Sequence, residues 1–297
     1  WSKLMETIKF RDDGLFFSGH VACGGCVEAL SLRVILNTVG PNAIAVVSPS
    51  CTAVICGGHP TSSVRLPVLH TSIESAASAA SGVRRALDAK GKNDTLVLCL
   101  AGDGGTYDIG LQALSSAAER NEDFLYVCFD NEGYMNTGGQ KSSSTPLGAI
   151  TGSTPAGKLS RKKNLIEILA AHRIPYIATA SPSHLNDMTA KVKKARDMKG
   201  TRVLIVFIPC LPGWGVADNA AVSTARMAVE SGVFPLFEVE EGLTYRMNET
   251  ARPRRIDTYL GAQKRFRHLT DEDIATLQAD VDRDWERLIA RADTTQA

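Results

Sequence analysis

Asp103 and Asn131 stand 28 residues apart, each at the end of a short apolar run. The runs, Leu96 to Ala101 and Phe124 to Phe129, are short and β-branched enough to read as buried strands. The first breaks into Gly102-Asp103-Gly104-Gly105, and a helical pattern starts near Asp108 with Ile109, Leu111 and Leu114. The second ends in Asp130-Asn131-Glu132-Gly133. Strand, glycine turn, helix and strand bring a backbone close to phosphate oxygens at a helix N-terminus. The two polar side chains then emerge side by side at the carboxyl edge of a parallel sheet, where their hard oxygens suit an octahedral Mg²⁺ that keeps positions for phosphate. The glycine spacing of dinucleotide sites and the lysine of the P-loop are both missing from this stretch. For the GDGG turn alone, a plain βαβ unit whose glycines only turn the chain is an equally good reading. Asn131 shifts the balance towards a metal.

A GDG followed by an Asn at this distance resembles the thiamine diphosphate fingerprint. The resemblance implies that Asp103, Asn131 and the backbone carbonyl of Gly133 hold Mg²⁺, and that the metal holds the diphosphate.

Cysteines form the second chemical group. Cys23 and Cys26 make a CxxC before a helix; Cys51 and Cys210 each follow a strand. All are expected in loops at element ends, where ligands are presented. Four such thiols could hold a structural zinc or a [4Fe–4S] cluster, act as a redox dithiol, or be unrelated. Spacing alone does not separate these, and Cys210 lacks the Cys-Pro form of ferredoxin-type ligands because its proline precedes it. Cys99 and Cys128 fall inside the two strands and are expected to be buried and inert. Cys56 is undecided.

The elements that must position these groups follow from pattern. Val27 to Leu36, Ser72 to Leu87, Leu165 to His172, Ser183 to Met198, Ala220 to Ser231 and Asp271 to Ile289 read as helices, with Ser-Pro-Ser a candidate cap for the fourth. Ile44 to Val47, Tyr176 to Thr179, Val203 to Ile208 and Leu236 to Val239 read as strands. Lys141 to Lys163 is long, polar and aperiodic, the profile of a functional or mobile loop, and closure over the site would suit it. The alternation predicts an α/β fold, a doubly wound, mostly parallel sheet: one domain over residues 1–219 and a C-terminal extension over 220–297 that packs on the same domain or on partner subunits.

With 44% apolar and 22% charged residues in 297, the chain has ample core, and its net charge of +1 with no basic stripe argues against a nucleic-acid binder. No apolar run approaches a membrane span, and the N-terminal stretch has no signal-peptide pattern. Cysteines in that setting suggest a reducing, cytoplasmic location.

Taken in order, SGHVACGGCVEAL, AGDGGTYDIGLQALSSAAERN, YVCFDNEGYMNTGGQ, SSSTPLGA, TPAGK, HRIPYIATASP, PCLPGW, YLGAQKRFRHLT and DRDWERL resemble the β subunits of the 2-oxoacid:ferredoxin oxidoreductases, pyruvate:ferredoxin oxidoreductase among them. The resemblance runs through most of the chain and implies the thiamine diphosphate-binding fold. It implies that Cys23, Cys26, Cys51 and Cys210 ligate one [4Fe–4S] cluster near the cofactor. It places Gly102, Asp103, Gly104, Gly105, Asn131, Gly133, Tyr134, Asn136 and Thr137 around the diphosphate and thiazolium, with Asn136 towards the reacting carbon, and Glu28 and Cys51 beside the cofactor. On its residues alone, Glu28 reads as a solvated first-turn carboxylate favoured by the helix dipole, and Tyr134 and Met135 as plain packing.

The activity implied is oxidative decarboxylation of a 2-oxo acid, pyruvate first, with coenzyme A collecting the acyl group and electrons leaving through the cluster to ferredoxin or another acceptor. Branched-chain, aryl-glyoxylate or oxalate substrates would use the same architecture, and a non-redox thiamine decarboxylase or carboligase would use the metal site without the cysteines. The family's essential glutamate comes from the α subunit, so α, γ and ferredoxin-like δ partners are implied and the chain alone is expected to be inactive.

Overall fold

The computed structural model describes residues 14–249 and 254–296. In chain order these form α1 (Val27–Val39), β1 (Ala43–Val47), α2 (Cys51–Cys56), β2 (Val68–His70), α3 (Ala76–Ala89), β3 (Leu96–Gly102), α4 (Leu111–Glu119) and β4 (Phe124–Asp130). After the long loop come α5 (Leu165–Ala170), β5 (Tyr176–Ala180), α6 (Leu185–Asp197), β6 (Thr201–Phe207), α7 (Leu211–Trp214), α8 (Ala221–Glu230), β7 (Phe237–Glu240), β8 (Thr244–Met247), α9 (Asp257–Gly261) and α10 (Asp271–Gln296).

One eight-stranded sheet runs β2-β1-β3-β4-β6-β5-β7-β8. Every pairing from β2 to β5 is parallel; β7 and β8 close one edge antiparallel. β4, β5 and β6 are buried at every position, as expected of parallel strands covered by helices on both faces. The chain winds outward from β1 to β2 and then reverses through β3 to β4, which opens a crevice at the carboxyl ends of β1 and β3. Ser48 to Cys51 and Gly102 to Gly105 leave the sheet at that crevice.

The expected helices and strands are present, with shifted ends. Helix α6 starts at Leu185 with His184 at its cap position, and no side chain caps it, so Ser183 does not serve. The helix expected near Asp108 is preceded by a π-helical turn, Gly104–Ile109, and the regular helix begins at Leu111. β2, β8, α2, α7 and α9 were not legible: each is three to six residues long, too short for a periodicity to show.

The β5–β7 junction fastens the C-terminal part to the sheet. Glu238 accepts from Tyr176 Oη at 2.8 Å, Lys194 Nζ at 2.7 Å and Asn248 Nδ2 at 2.9 Å. Burial pushes its carboxyl up, but these hydrogen bonds and the Lys194 charge outweigh burial and bring it from 4.5 to about 2. A depressed folded-state pKa contributes stability above pH 4.5 that is lost as pH falls through about 2. Discounted for the partly exposed lysine, the contribution is about 2–3 kcal/mol. Glu238→Gln is therefore expected to lower stability by that amount at pH 7 and to flatten its fall between pH 4.5 and 2, measured by urea unfolding across that range. An unchanged acid profile would remove Glu238 from the account.

Candidate active site

Asp103 follows β3 and Asn131 follows β4, and adjacent parallel strands bring the two side chains together as their positions required. The Asn131 amide nitrogen donates to Cys51 Sγ at 3.7 Å. Its amide oxygen then faces the Gly133 carbonyl oxygen at 2.8 Å and Asp103 Oδ1 at 3.0 Å. Three oxygens so close, with no proton between them, repel one another. Turning the amide over would supply a donor to both contacts; a cation among the three relieves the repulsion with the oxygen left inward. Carboxylate, amide and carbonyl oxygens are the hard donor set that Mg²⁺ takes.

The surrounding charge fits a cation as well. Asp103, Asp130 and Glu132 are all buried, and among the described residues they pair with two cations, Lys162 and Arg265. Burial and then the Asp130 charge hold the Asp103 carboxyl well above its ordinary range, against a hydrogen bond from Ser142 Oγ at 2.5 Å. Lys162 donates to Asp130 at 2.7 Å and reaches Glu132 at 3.3 Å; burial lowers its pKa, but the two carboxylates raise it above the usual lysine range. Lys162→Met would leave both carboxylates short of a partner. The expected cost is about 2–3 kcal/mol, below the 3–5 kcal/mol of a fully buried pair because the lysine keeps 29% exposure, and chemical unfolding measures it.

The glycine turn admits its neighbours because it lacks side chains. A Cβ on Gly104 would lie 2.3–2.6 Å from the Tyr134 ring, whose hydroxyl donates to Gly104 O and Asp108 Oδ2, both at 3.0 Å. Tyr134 therefore braces the turn as well as packing beside it. Gly102 and Gly105 line the same crevice against Ser50 and Ile73. Asn136 and Thr137 sit exposed on the loop after Gly133, with Thr137 Oγ1 donating to Gln140 at 2.8 Å.

The cysteines divide as their positions suggested. Cys99 and Cys128 are fully buried within β3 and β4, and Cys56 is fully buried at the end of α2. Cys26 precedes α1, Cys51 opens α2 and Cys210 precedes α7, with Cys23 exposed on the turn before α1. Burial pushes the Cys26 and Cys210 thiols to about 11 and the Cys51 thiol higher still; next comes the Glu28 charge for Cys26 and Cys51, and the neighbouring cysteines add to all three. Among the described residues, however, no three acidic, histidine or cysteine side chains are drawn together as a metal site.

Glu28 is not the solvated carboxylate that its residue type suggested. It is 1% exposed, accepts from Thr52 Oγ1 at 2.6 Å, and burial lifts its carboxyl to about 7 against that bond. Helix α1 turns this edge inward, because Val27, Ala29 and Ser31 beside it are buried too.

The Lys141 to Lys163 loop is built into the site. Ser142 binds Asp103, Ser144 Oγ donates to Asp130 at 2.6 Å, Thr145 Oγ1 donates to the Glu132 carbonyl at 2.7 Å, and Lys163 Nζ donates to the Tyr107 carbonyl. Ser142, Ser144, Thr145, Lys158, Lys162 and Lys163 are thus each bonded to a fixed partner. Sequence reasoning missed Ser142, Asp130, Glu132, Lys162 and Arg265. The adjacency of Asp130 and Glu132 to Asn131 was the only available signal.

Comparison with known proteins bears on this arrangement. Residues 51–206 match the thiamine pyrophosphate enzyme C-terminal TPP binding domain. Pyruvate synthase subunit PorB of Methanothermobacter thermautotrophicus is 45% identical over 283 residues, covering 93% of this chain and 97% of that one. Ketoisovalerate oxidoreductase subunit VorB of Pyrococcus abyssi is 43% identical over 295 residues, covering 95% and 94%. In fold, the chain is similar to 2-oxoglutarate:ferredoxin oxidoreductase from Magnetococcus marinus, with a TM-score of 0.62 at 19% identity, over 93% of this chain and 97% of that one.

Proposed function

Since the chain belongs to the 2-oxoacid:ferredoxin oxidoreductases as a β subunit, we propose that its crevice holds Mg²⁺ through Asp103, Asn131 and the Gly133 carbonyl, with thiamine diphosphate on that metal. The observation that carries the assignment is the convergence of the Asn131 side-chain amide on the Gly133 carbonyl at 2.8 Å and on Asp103 Oδ1 at 3.0 Å. Bound there, the cofactor supplies a carbon nucleophile and an electron sink for decarboxylating a 2-oxo acid. A [4Fe–4S] cluster held by Cys23, Cys26, Cys51 and Cys210 would accept electrons singly.

The chain's own residues prepare the site. Ser142 fixes the Asp103 carboxylate, and Tyr134 holds the glycine turn open to a diphosphate. The Asn131–Cys51 contact joins the metal loop to the thiols, so the two cofactors would be neighbours. Glu28, buried beside the same thiols, faces the cofactor side of the crevice in this reading, and Asn136 stands exposed where a substrate would enter.

The relatives are named as subunits, and this chain is one subunit of a larger enzyme. We assign the missing pyrimidine-facing glutamate to an α partner, electron exit to γ and ferredoxin-like δ partners, and the acyl group to coenzyme A. Pyruvate is the first substrate to try and a branched-chain oxo acid the second, because relatives named for each are 45% and 43% identical. The test is to purify the native complex anaerobically, measure thiamine, magnesium, iron and sulfide, and assay acceptor reduction across a panel of 2-oxo acids with coenzyme A. Thiamine and iron in stoichiometric amounts with pyruvate turnover are expected. A colourless protein carrying thiamine would refute the redox reading.

A further inference from the structure

Asn131, Glu132 and Gly133 present three successive carbonyls, and only the third turns to the metal position. The Asn131 carbonyl accepts from Trp214 Nε1 at 3.0 Å, and the Glu132 carbonyl accepts from Thr145 Oγ1 at 2.7 Å. The Gly133 oxygen is the one left facing the Asn131 amide. Glu132 has φ of 60°, a left-handed conformation that a non-glycine residue adopts at a cost. Two cations hold it there: Lys162, and Arg265, whose Nη2 donates to Glu132 Oε2 at 2.6 Å. The Arg265 guanidinium in turn lies 3.6 Å from the centroid of the Trp214 ring. A single fully buried indole thus supports the loop twice, by its N–H at Asn131 and by its face under Arg265.

We infer that Trp214 is a positioning residue for the metal, acting with Arg265 to hold the Asn131–Glu132 peptides so that the Gly133 carbonyl is delivered to Mg²⁺. The inference rests on the Mg²⁺ assignment proposed above. It also gives the short helix α7 two duties, since the Trp214 amide donates to the Cys210 carbonyl at 2.9 Å within it. The metal loop and one proposed cluster ligand then share a support. Arg265 reaches this point from the C-terminal part of the chain, 133 residues after Glu132.

Trp214→Phe keeps a ring beneath Arg265, removes the N–H donor and leaves a smaller side chain at this fully buried position. In the native complex stripped of cofactor, Mg²⁺ is titrated at saturating thiamine diphosphate and the retained thiamine is measured. Loss of one hydrogen bond at the loop is expected to raise the half-saturating Mg²⁺ concentration about 3- to 10-fold. The thermal midpoint in EDTA should stay within about 5 °C of the parent. A purely structural role would lower that midpoint and leave the Mg²⁺ dependence in place. Arg265→Lys, which keeps the charge but loses the planar stack, is read in the same way and carries the test if Trp214→Phe does not fold. Unchanged half-saturation in the folded variants overturns the inference. Asp103→Ala serves as the reference: if it too leaves Mg²⁺ dependence intact, the metal assignment itself is wrong, whereas its loss beside normal Trp214→Phe titration removes only the role of Trp214.

Discussion

Asp103→Ala is expected to purify without Mg²⁺ or thiamine diphosphate and to show no 2-oxo acid oxidation. The carboxylate is the one formal charge among the three proposed metal donors. Asn131 and the Gly133 carbonyl, being neutral, could not offset the dehydration of Mg²⁺ by themselves. Removing a residue that merely orients a metal ligand costs 10- to 100-fold in affinity, so loss of the ligand itself should exceed about 100-fold. The folded state without metal gives a second expectation of different sign. Asp103 is buried beside Asp130, and that environment holds its carboxyl well above its ordinary range. Deleting it relieves this repulsion, so the variant in EDTA should unfold no earlier than the parent. With Mg²⁺ and thiamine diphosphate each at 100 times its dissociation constant, binding stabilises the parent by about 2.7 kcal/mol or more, and the variant should gain nothing. Calorimetric midpoints with and without the pair, together with retained thiamine, measure both effects. Full thiamine occupancy in Asp103→Ala would refute the assignment.

The ends of β3 and β4 were legible because hydrophobic runs and glycine turns are local signals. Asp103 and Asn131 needed only that their strands be neighbours and parallel, which the βαβ pattern supplied. The third proposed donor was different: a backbone carbonyl has no residue type, so Gly133 entered only through the resemblance. The supports were opaque for a physical reason. Lys162 meets Glu132 across 30 residues, Arg265 meets it across 133, and Trp214 meets Asn131 across 83, with no period connecting them. The polar Lys141 to Lys163 stretch read as a functional or mobile loop with no partners to name, because its hydroxyls and lysines are the residues of solvated chains; here several of them satisfy buried carboxylates and carbonyls. Glu28 failed in the opposite direction. Its residue type and first-turn position describe a surface carboxylate, and only the packing of α1 against the crevice shows it buried on Thr52.

Cys210→Ser and Cys99→Ser should part company in the native complex. Cys210 sits at the start of α7, beside Met135 and near enough to Cys23 and Cys26 for their charges to raise its thiol pKa further. In the proposed cluster, its substitution would replace a soft thiolate donor by a hydroxyl that iron holds poorly. The broad visible absorbance of the cluster is expected to be lost or shifted, and acceptor reduction to fall by at least about 100-fold, since electrons then lack their first acceptor. Thiamine content should be kept, because the metal donors are on other elements. Cys99, in contrast, lies fully buried at the middle of β3, with its sulfur among core side chains. Serine there costs stability, about 1–3 kcal/mol for an imperfectly partnered hydroxyl, and leaves absorbance and turnover per folded molecule unchanged. Visible spectra, iron content and unfolding curves of the two variants therefore form opposite pairs. The reverse pattern, with iron lost in Cys99→Ser and kept in Cys210→Ser, would mean that the fourth ligand lies elsewhere and that α7 serves the metal loop alone.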